Sequence, residues 1–380
     1  MTYKPQVQML PRLHSHSLDV IFAGQAMGGG YIACPHMPDY AFSWFRDGAF
    51  IAYALTLDGI SSPVQHPSGI CSQWDSAGRF HTWCARMVNA RAERLESTIE
   101  RSAHGEILKV EDTLNARYRD EGVEGPEGWP EFQLDGPGLW LWSLAKYVEV
   151  CRIAPLPVDW EAAVEVTARY LAAVWGIPCY DCWEERGSDV HISTLAAIYT
   201  GLDAAERLLP RLDFRHVKQD IRGFILANGL TPSGELAKSV GLDMVDANLL
   251  LTALPDGGLF AAEDPLVQKT VARIECELLA EGHGVHRHLE DTYYGGGAWV
   301  LLGLWLAWHY SQIGREEDAA KLLSWAESHA NKHGDLPEQV NDVMLDPNYY
   351  RPWVKERGEI AQPLLWTHAK YLIVRRALGR

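Results

Sequence analysis

The chain has 380 residues, 47% of them hydrophobic, with 50 Asp and Glu against 34 Lys and Arg and a formal net charge of −16. That length can bury a large core, while that charge argues against a phosphate backbone or an anionic membrane as partner. The opening residues Met1-Thr2-Tyr3-Lys4-Pro5-Gln6 hold no apolar run of signal-peptide length and no stretch reaches the length of a bilayer span, so a cytoplasmic location is expected.

Apolar residues recur at helical spacing along most of the chain, with almost no alternation at period two. Expected helices run 15–26, 47–58, 81–100, 138–152, 157–174, 190–209, 213–227, 243–254, 264–280, 297–312, 315–331 and 362–378. The clearest stripes are Phe214-Val217-Ile221-Phe224-Ile225 and Trp160-Val164-Thr167-Leu171-Val174. Connections alternate in character. Those after even-numbered helices are mostly short, such as Pro210-Arg211-Leu212. Those after odd-numbered helices, at 27–46, 101–137, 175–189, 228–242, 281–296 and 332–361, are long and carry nearly every unusual residue. Helical hairpins that close into a ring send alternate loops to one face. With no low-complexity segment or Gly/Ser linker, a single all-α domain over 1–380 is expected.

Fifteen tryptophans are unusual, and Trp44, Trp129, Trp183, Trp353 and Trp366 sit outside or at the ends of helical patterns, beside acids and glycines. Indoles placed beside carboxylates grip sugar rings by stacking on C–H faces, although half-buried loop anchors would read the same way. Two acidic loops stand out. Tyr180-Asp181-Cys182-Trp183-Glu184-Glu185-Arg186 packs three acids against an aromatic, and Leu336-Pro337-Glu338-Gln339 sets a lone acid in a loop. Hydrolysis of a sugar acetal needs one carboxylic acid to protonate the leaving oxygen and a carboxylate on the other side. Glu184, crowded by Trp183, Glu185 and Asp181, is expected to keep its proton through desolvation and like charge. Glu338, in a loop open to water, is expected to stay ionised and activate a water. The plainer alternative makes Glu184 and Glu185 helix-entry acids and Glu338 a solvated loop residue.

Six blocks, in order from about 36 to 372, resemble those of the glucoamylase family, glycoside hydrolase family 15. Pro38-Asp39-Tyr40 followed by Trp44-Phe45-Arg46-Asp47 is similar to the segment whose Arg-Asp pair holds the terminal glucose; its Tyr, here Tyr40, lies near the attacking water. Trp129, six residues ahead of Asp135, matches a cleft indole. In Tyr180–Glu185 the resemblance makes Glu184 the general acid and Glu185 a ligand of the next sugar unit. Arg287 with Glu290-Asp291-Thr292-Tyr293-Tyr294-Gly295 resembles a clamp in which Arg287 and Asp291 face sugar hydroxyls. Glu338-Gln339 resembles the general-base dipeptide, and Pro363-Leu364-Leu365-Trp366-Thr367-His368-Ala369 the closing helix start, with Trp366 lining the pocket.

The resemblance implies an (α/α)6 barrel and inverting hydrolysis of a terminal α-glucosidic bond, with β-glucose released and no metal or organic cofactor. The chain has no room for the amino-terminal β-sandwich or starch-binding module of some relatives, which points to short glucosides such as isomaltose, isomalto-oligosaccharides or malto-oligosaccharides. A trehalase-type enzyme on the same scaffold, or a non-catalytic sugar-binding ring, are the alternatives. Seven cysteines at irregular spacing read as reduced thiols, and Cys179 with Cys182 lacks the second pair a zinc site needs. The same holds for His286-Arg287-His288, better suited to a sugar clamp than to a divalent ion.

Overall fold

The computed structural model describes residues 10–65, 71–126, 128–280 and 284–380; Met1–Gln6, on which the leader expectation rested, lies outside them. In chain order the elements are α1 (Leu10–Ala23), β1 (Ser43–Trp44), α2 (Phe45–Ser61), α3 (Ser72–Asn89), α4 (Ala92–Ala103) and β2 (Arg117–Tyr118). Then come α5 (Asp135–Cys151), α6 (Val158–Val174), α7 (Ile192–Leu208), α8 (Arg215–Asn228), a 3-10 stretch (Ala247–Ala253) and α9 (Pro265–Leu278). The last are β3 (Gly297–Trp299), α10 (Val300–Gln312), α11 (Glu316–Ser328), β4 (Gln339–Met344), α12 (Tyr350–Arg357) and α13 (Leu365–Ala377).

Six segments form a closed inner ring: α2, α5, α7, the 3-10 stretch, α10 and α13 each pack against the next, and α13 returns to α2. The remaining long helices pack outside, which makes the fold an (α/α)6 barrel. Sequence sorts the two layers. In α2, α5 and α10 most residues are buried and most of those are apolar, as a helix surrounded by others requires, whereas α4 buries only Leu95 and Thr98, and α8 only Ile221 and Ile225. Inner helices α5 and α7 touch through Gly138 and Gly201, where a Cβ would collide with the facing backbone.

Because each inner helix follows a long connection, the N-termini of α2, α5, α7, α10 and α13 emerge on one face. There the partial positive ends of five helices converge, and there the long loops lie.

Four expectations change. The helix expected at 81–100 is two, broken at Ala90–Arg91, because the Arg91 guanidinium is committed sideways to the Met87 and Gly122 carbonyls and to Glu124 at 2.8 Å. The helix at 243–254 is the 3-10 stretch, since Asp246 is already tied to Lys238 and caps the Asn248 N–H. Two short antiparallel pairs, β1–β2 and β3–β4, were invisible to periodicity because their pairing spans only two or three residues. Helix α12 lies inside the connection expected at 332–361.

Candidate active site

A cavity of about 420 Å³ opens on the face where the inner helices begin. Among its lining residues are eleven of the thirteen singled out from sequence: Tyr40, Trp44, Arg46, Asp47, Trp129, Trp183, Glu184, Glu185, Arg287, Glu338 and Trp366. The other two, Asp181 and Asp291, are buried behind the wall, committed to neighbouring protein groups rather than to the cavity. The indoles form the wall: Trp44, Trp183 and Trp366 are buried, Trp129 and Trp353 half-buried.

Glu184 stands on a tight turn with a left-handed φ of 68°, a conformation that a side chain takes only when its flanks are fixed. Asp181 fixes them. Its Oδ1 accepts the backbone N–H of Trp183 at 2.9 Å and of Glu185 at 3.0 Å, and its carbonyl accepts that of Glu184 at 2.9 Å. Its Oδ2 pairs with Lys238 Nζ at 2.9 Å, and Lys238, fully buried, also reaches Asp246 at 2.7 Å and Glu185 at 3.4 Å. Asp246 in turn accepts the Trp183 indole N–H at 3.0 Å. Glu184 itself accepts the Trp44 indole N–H at 3.0 Å and the Gln133 amide at 3.3 Å, both on Oε1.

Glu338 reaches the same cavity from a distant segment of the chain. Its backbone is pinned where β4 meets β3, its N–H donating to the Ala361 carbonyl at 3.0 Å and its carbonyl accepting from Val300 at 3.1 Å. Gly297 permits that pairing, because a Cβ there would strike the Val340 carbonyl. Tyr40 donates its hydroxyl to Glu338 Oε1 at 3.1 Å and meets the Tyr293 hydroxyl at 3.0 Å. Oε2 has no hydrogen-bond partner among the described residues. The expectation that Glu338 lies open to water is corrected: the residue is 4% exposed, and burial pushes its carboxyl up to about 8, with Tyr40 and Arg287 only partly opposing. The cause is the segment around Ala361 and the β3–β4 pair, which enclose it.

Two Arg–Asp arrangements complete the floor. Arg46 bonds Gln133 at 2.7 Å and Asp135 at 3.1 Å, and burial, less the opposing pull of Arg46, pushes Asp47 up to about 7. Arg287 is gripped bidentately by Asp291 at 2.8 and 2.5 Å, and reaches Glu185 at 3.1 Å. Burial alone would raise Glu185, yet Arg287, His288 and Lys238 hold its carboxyl well below the usual range. Asp291 therefore aims Arg287, and Asp181 shapes the Glu184 turn; neither presents an oxygen to the cavity.

Sequence reasoning did not single out Tyr293, Trp299 and Arg357 as wall residues, nor Lys238 behind it. Tyr293 lay within a motif already noted, but nothing adjacent to Trp299, Arg357 or Lys238 in the chain marks them. Cys182 lines the cavity, its sulfur taking the Asn248 amide at 3.2 Å, and Cys179 is buried. His286 bonds the Gly296 carbonyl and His288 bonds Glu185. Among the described residues no three His, Cys, Asp or Glu side chains gather as metal ligands, and no helix is long and apolar enough to cross a membrane.

The family model described as glycosyl hydrolases family 15 matches residues 16–322. A protein of Kribbella flavida named isomaltose glucohydrolase is 36% identical, the match covering 97% of this chain and 94% of that one. A solved structure described as a wild-type glycosidase superimposes with a TM-score of 0.89 at 34% identity, covering 99% of both chains. The glucoamylase of Saccharomycopsis fibuligera shares the fold at a TM-score of 0.71 and 13% identity, over 97% of this chain and 94% of that one. With a ring of six helical hairpins, a cavity walled by indoles and acids, and a family match over most of its length, the chain belongs to family 15 of the glycosyl hydrolases and is a glycoside hydrolase.

Proposed function

We propose that the protein is an inverting exo-acting α-glucosidase of short substrates, with isomaltose, the sugar in the name of its Kribbella flavida relative, as the first to test. Glu184 is the general acid. Its Oε1 is occupied by the Trp44 and Gln133 donors, which leaves Oε2 to carry the proton delivered to the leaving oxygen. Glu338 is the general base, and its unclaimed Oε2 is the acceptor for a proton of the attacking water. Tyr40 orients Glu338 through Oε1. Arg46, Asp47 and Arg287 hold the terminal ring, Glu185 takes a hydroxyl of the next unit, and the indoles of Trp44, Trp129, Trp183 and Trp366 supply the stacking faces.

The observation that carries this reading is the placement of Glu184 and Glu338, 154 positions apart in sequence, on the wall of one cavity sized for a small oligosaccharide. In this reading the whole of 1–380 is one catalytic domain, cytoplasmic, acting without metal or cofactor, and binding neither nucleic acid nor membrane. The test is a panel of isomaltose, maltose, trehalose and isomalto-oligosaccharides, with the anomer of the first glucose released followed by NMR. β-Glucose from isomaltose is expected. Release of α-glucose would mean retention and would sink the single-displacement mechanism; turnover of trehalose alone would replace the substrate.

A further inference from the structure

The aromatic wall has two layers. Tyr40, Trp44 and Tyr293 form the inner one, tied directly or through one hydroxyl to the carboxylates of Glu338 and Glu184. Trp129 packs edge-on to Trp44 at 6.4 Å, and Trp353 edge-on to Tyr293 at 4.9 Å. Each of these indoles is one ring farther from the acids, and each is half-buried, so together they mark the mouth.

The space between them is not free. The Arg357 guanidinium lies 5.5 Å from the Trp129 ring and 6.0 Å from the Trp353 ring. Its Nη1 pairs with Asp39 Oδ2 at 2.6 Å, joining the end of α12 to a turn 318 residues away in sequence. Both side chains are about a third exposed, so the pair adds little to stability. Its placement has the larger consequence. Two indoles flanking a gap are what a sugar ring stacks on, and here a planar cation occupies the gap.

We propose that Arg357, latched by Asp39, is a specificity-determining residue that occupies the place of a third sugar unit and confines the substrate to disaccharide length. The proposal rests on the α-glucosidase reading of the cavity and adds the limit on chain length. The latch is separable from the loop that carries it. Tyr294 donates its hydroxyl to the Gly358 carbonyl at 2.9 Å, and Trp353 packs on Tyr293, so α12 keeps its seat when the arginine side chain is shortened.

The experiment compares kcat/KM for isomaltose, isomaltotriose and isomaltotetraose in the wild type, Arg357→Ala and Asp39→Asn, with the melting temperature of each recorded. In Arg357→Ala the tetraose-to-disaccharide ratio should rise about tenfold, the lower range of steric discrimination in a pocket. Asp39→Asn, which loosens the guanidinium without removing it, should move the ratio the same way by less. An unchanged or falling ratio in a folded Arg357→Ala protein overturns the proposal. A wild type that cleaves maltose and not isomaltose would refute the linkage chosen above and leave the gate to be judged by the same ratio in malto-oligosaccharides.

Discussion

Replacing Glu338 by Gln separates the electrostatic cost of this residue from its proposed chemistry. The amide keeps an oxygen for the Tyr40 hydroxyl and loses the charge. Holding the carboxyl at about 8 instead of 4.5 makes its ionisation cost about 5 kcal/mol in the folded chain, at 1.36 kcal/mol per pH unit. The sign follows from proton linkage. A carboxyl whose folded pKa is raised binds its proton more tightly folded than unfolded, so stability falls as pH climbs from 4.5 to about 8 and the penalty is complete above that. Glu338→Gln escapes the penalty. At about 2.1 cal/mol/K of unfolding entropy per residue over 380 residues, the variant should melt with the wild type near pH 4.5 and about 6 °C above it at pH 9. Differential scanning calorimetry across that range reads the gap directly. A gap that is constant with pH would refute the burial argument, whatever happens to activity. Hydrolysis itself should fall by about 10²–10⁴-fold at pH 8 and above if Glu338 is the base, the gap to the wild type narrowing at lower pH where the wild-type carboxyl is also protonated.

On α-glucosyl fluoride, whose leaving group needs no acid, the wild-type kcat/KM should climb with pH towards about 8 as Glu338 ionises, and a profile flat between pH 6 and 8 would count against that base. Glu184→Gln should lose about 10²–10⁴-fold on isomaltose but far less on α-glucosyl fluoride, whose leaving group needs no proton; equal losses on both would remove Glu184 from the acid role. Trp44→Phe deletes the indole N–H donor that orients Glu184, a hydrogen bond of about 0.5–1.5 kcal/mol, and should lower kcat by about two- to tenfold with little change in fold. Lys238→Met leaves the buried carboxylates of Asp181 and Asp246 without their cation, and should destabilise by about 3–5 kcal/mol in urea titrations.

The one-face clustering of long loops was legible because short and long connections alternate along the chain, and that pattern is local. Which helices line the ring and which pack outside it was not read from the sequence, although the inner helices bury far more of their circumference. What local pattern does not carry is the commitment of a side chain to a distant partner. Arg91 breaks a helix because its guanidinium is claimed by Gly122 and Glu124, and Asp246 shortens an inner segment because Lys238 and Trp183 claim it. Glu338 illustrates the limit at the site. Its neighbours Pro337 and Gln339 suggest an open loop, and its burial comes from Ala361 and Val300, residues that become adjacent only through β3–β4 pairing. The motifs named Asp181 and Asp291 but not their place behind the wall, which depends on Lys238 and Arg287 reaching them first.

The ring is sealed by its two ends. Helix α13 packs on α1 and α2, the Leu365 N–H reaches the Ala33 carbonyl at 3.1 Å, and His368 meets Ser17 at 2.9 Å across 351 residues. Tyr40 and Glu338 are 298 residues apart. At about 5–20 residues per second, roughly 15–60 s of translation separate the synthesis of those two partners. Throughout that interval α2 holds an apolar face that only α13 will cover. A polypeptide ending before Trp366 would lack both its closing helix and part of the cavity wall, so the ring closes only once the last residues are made.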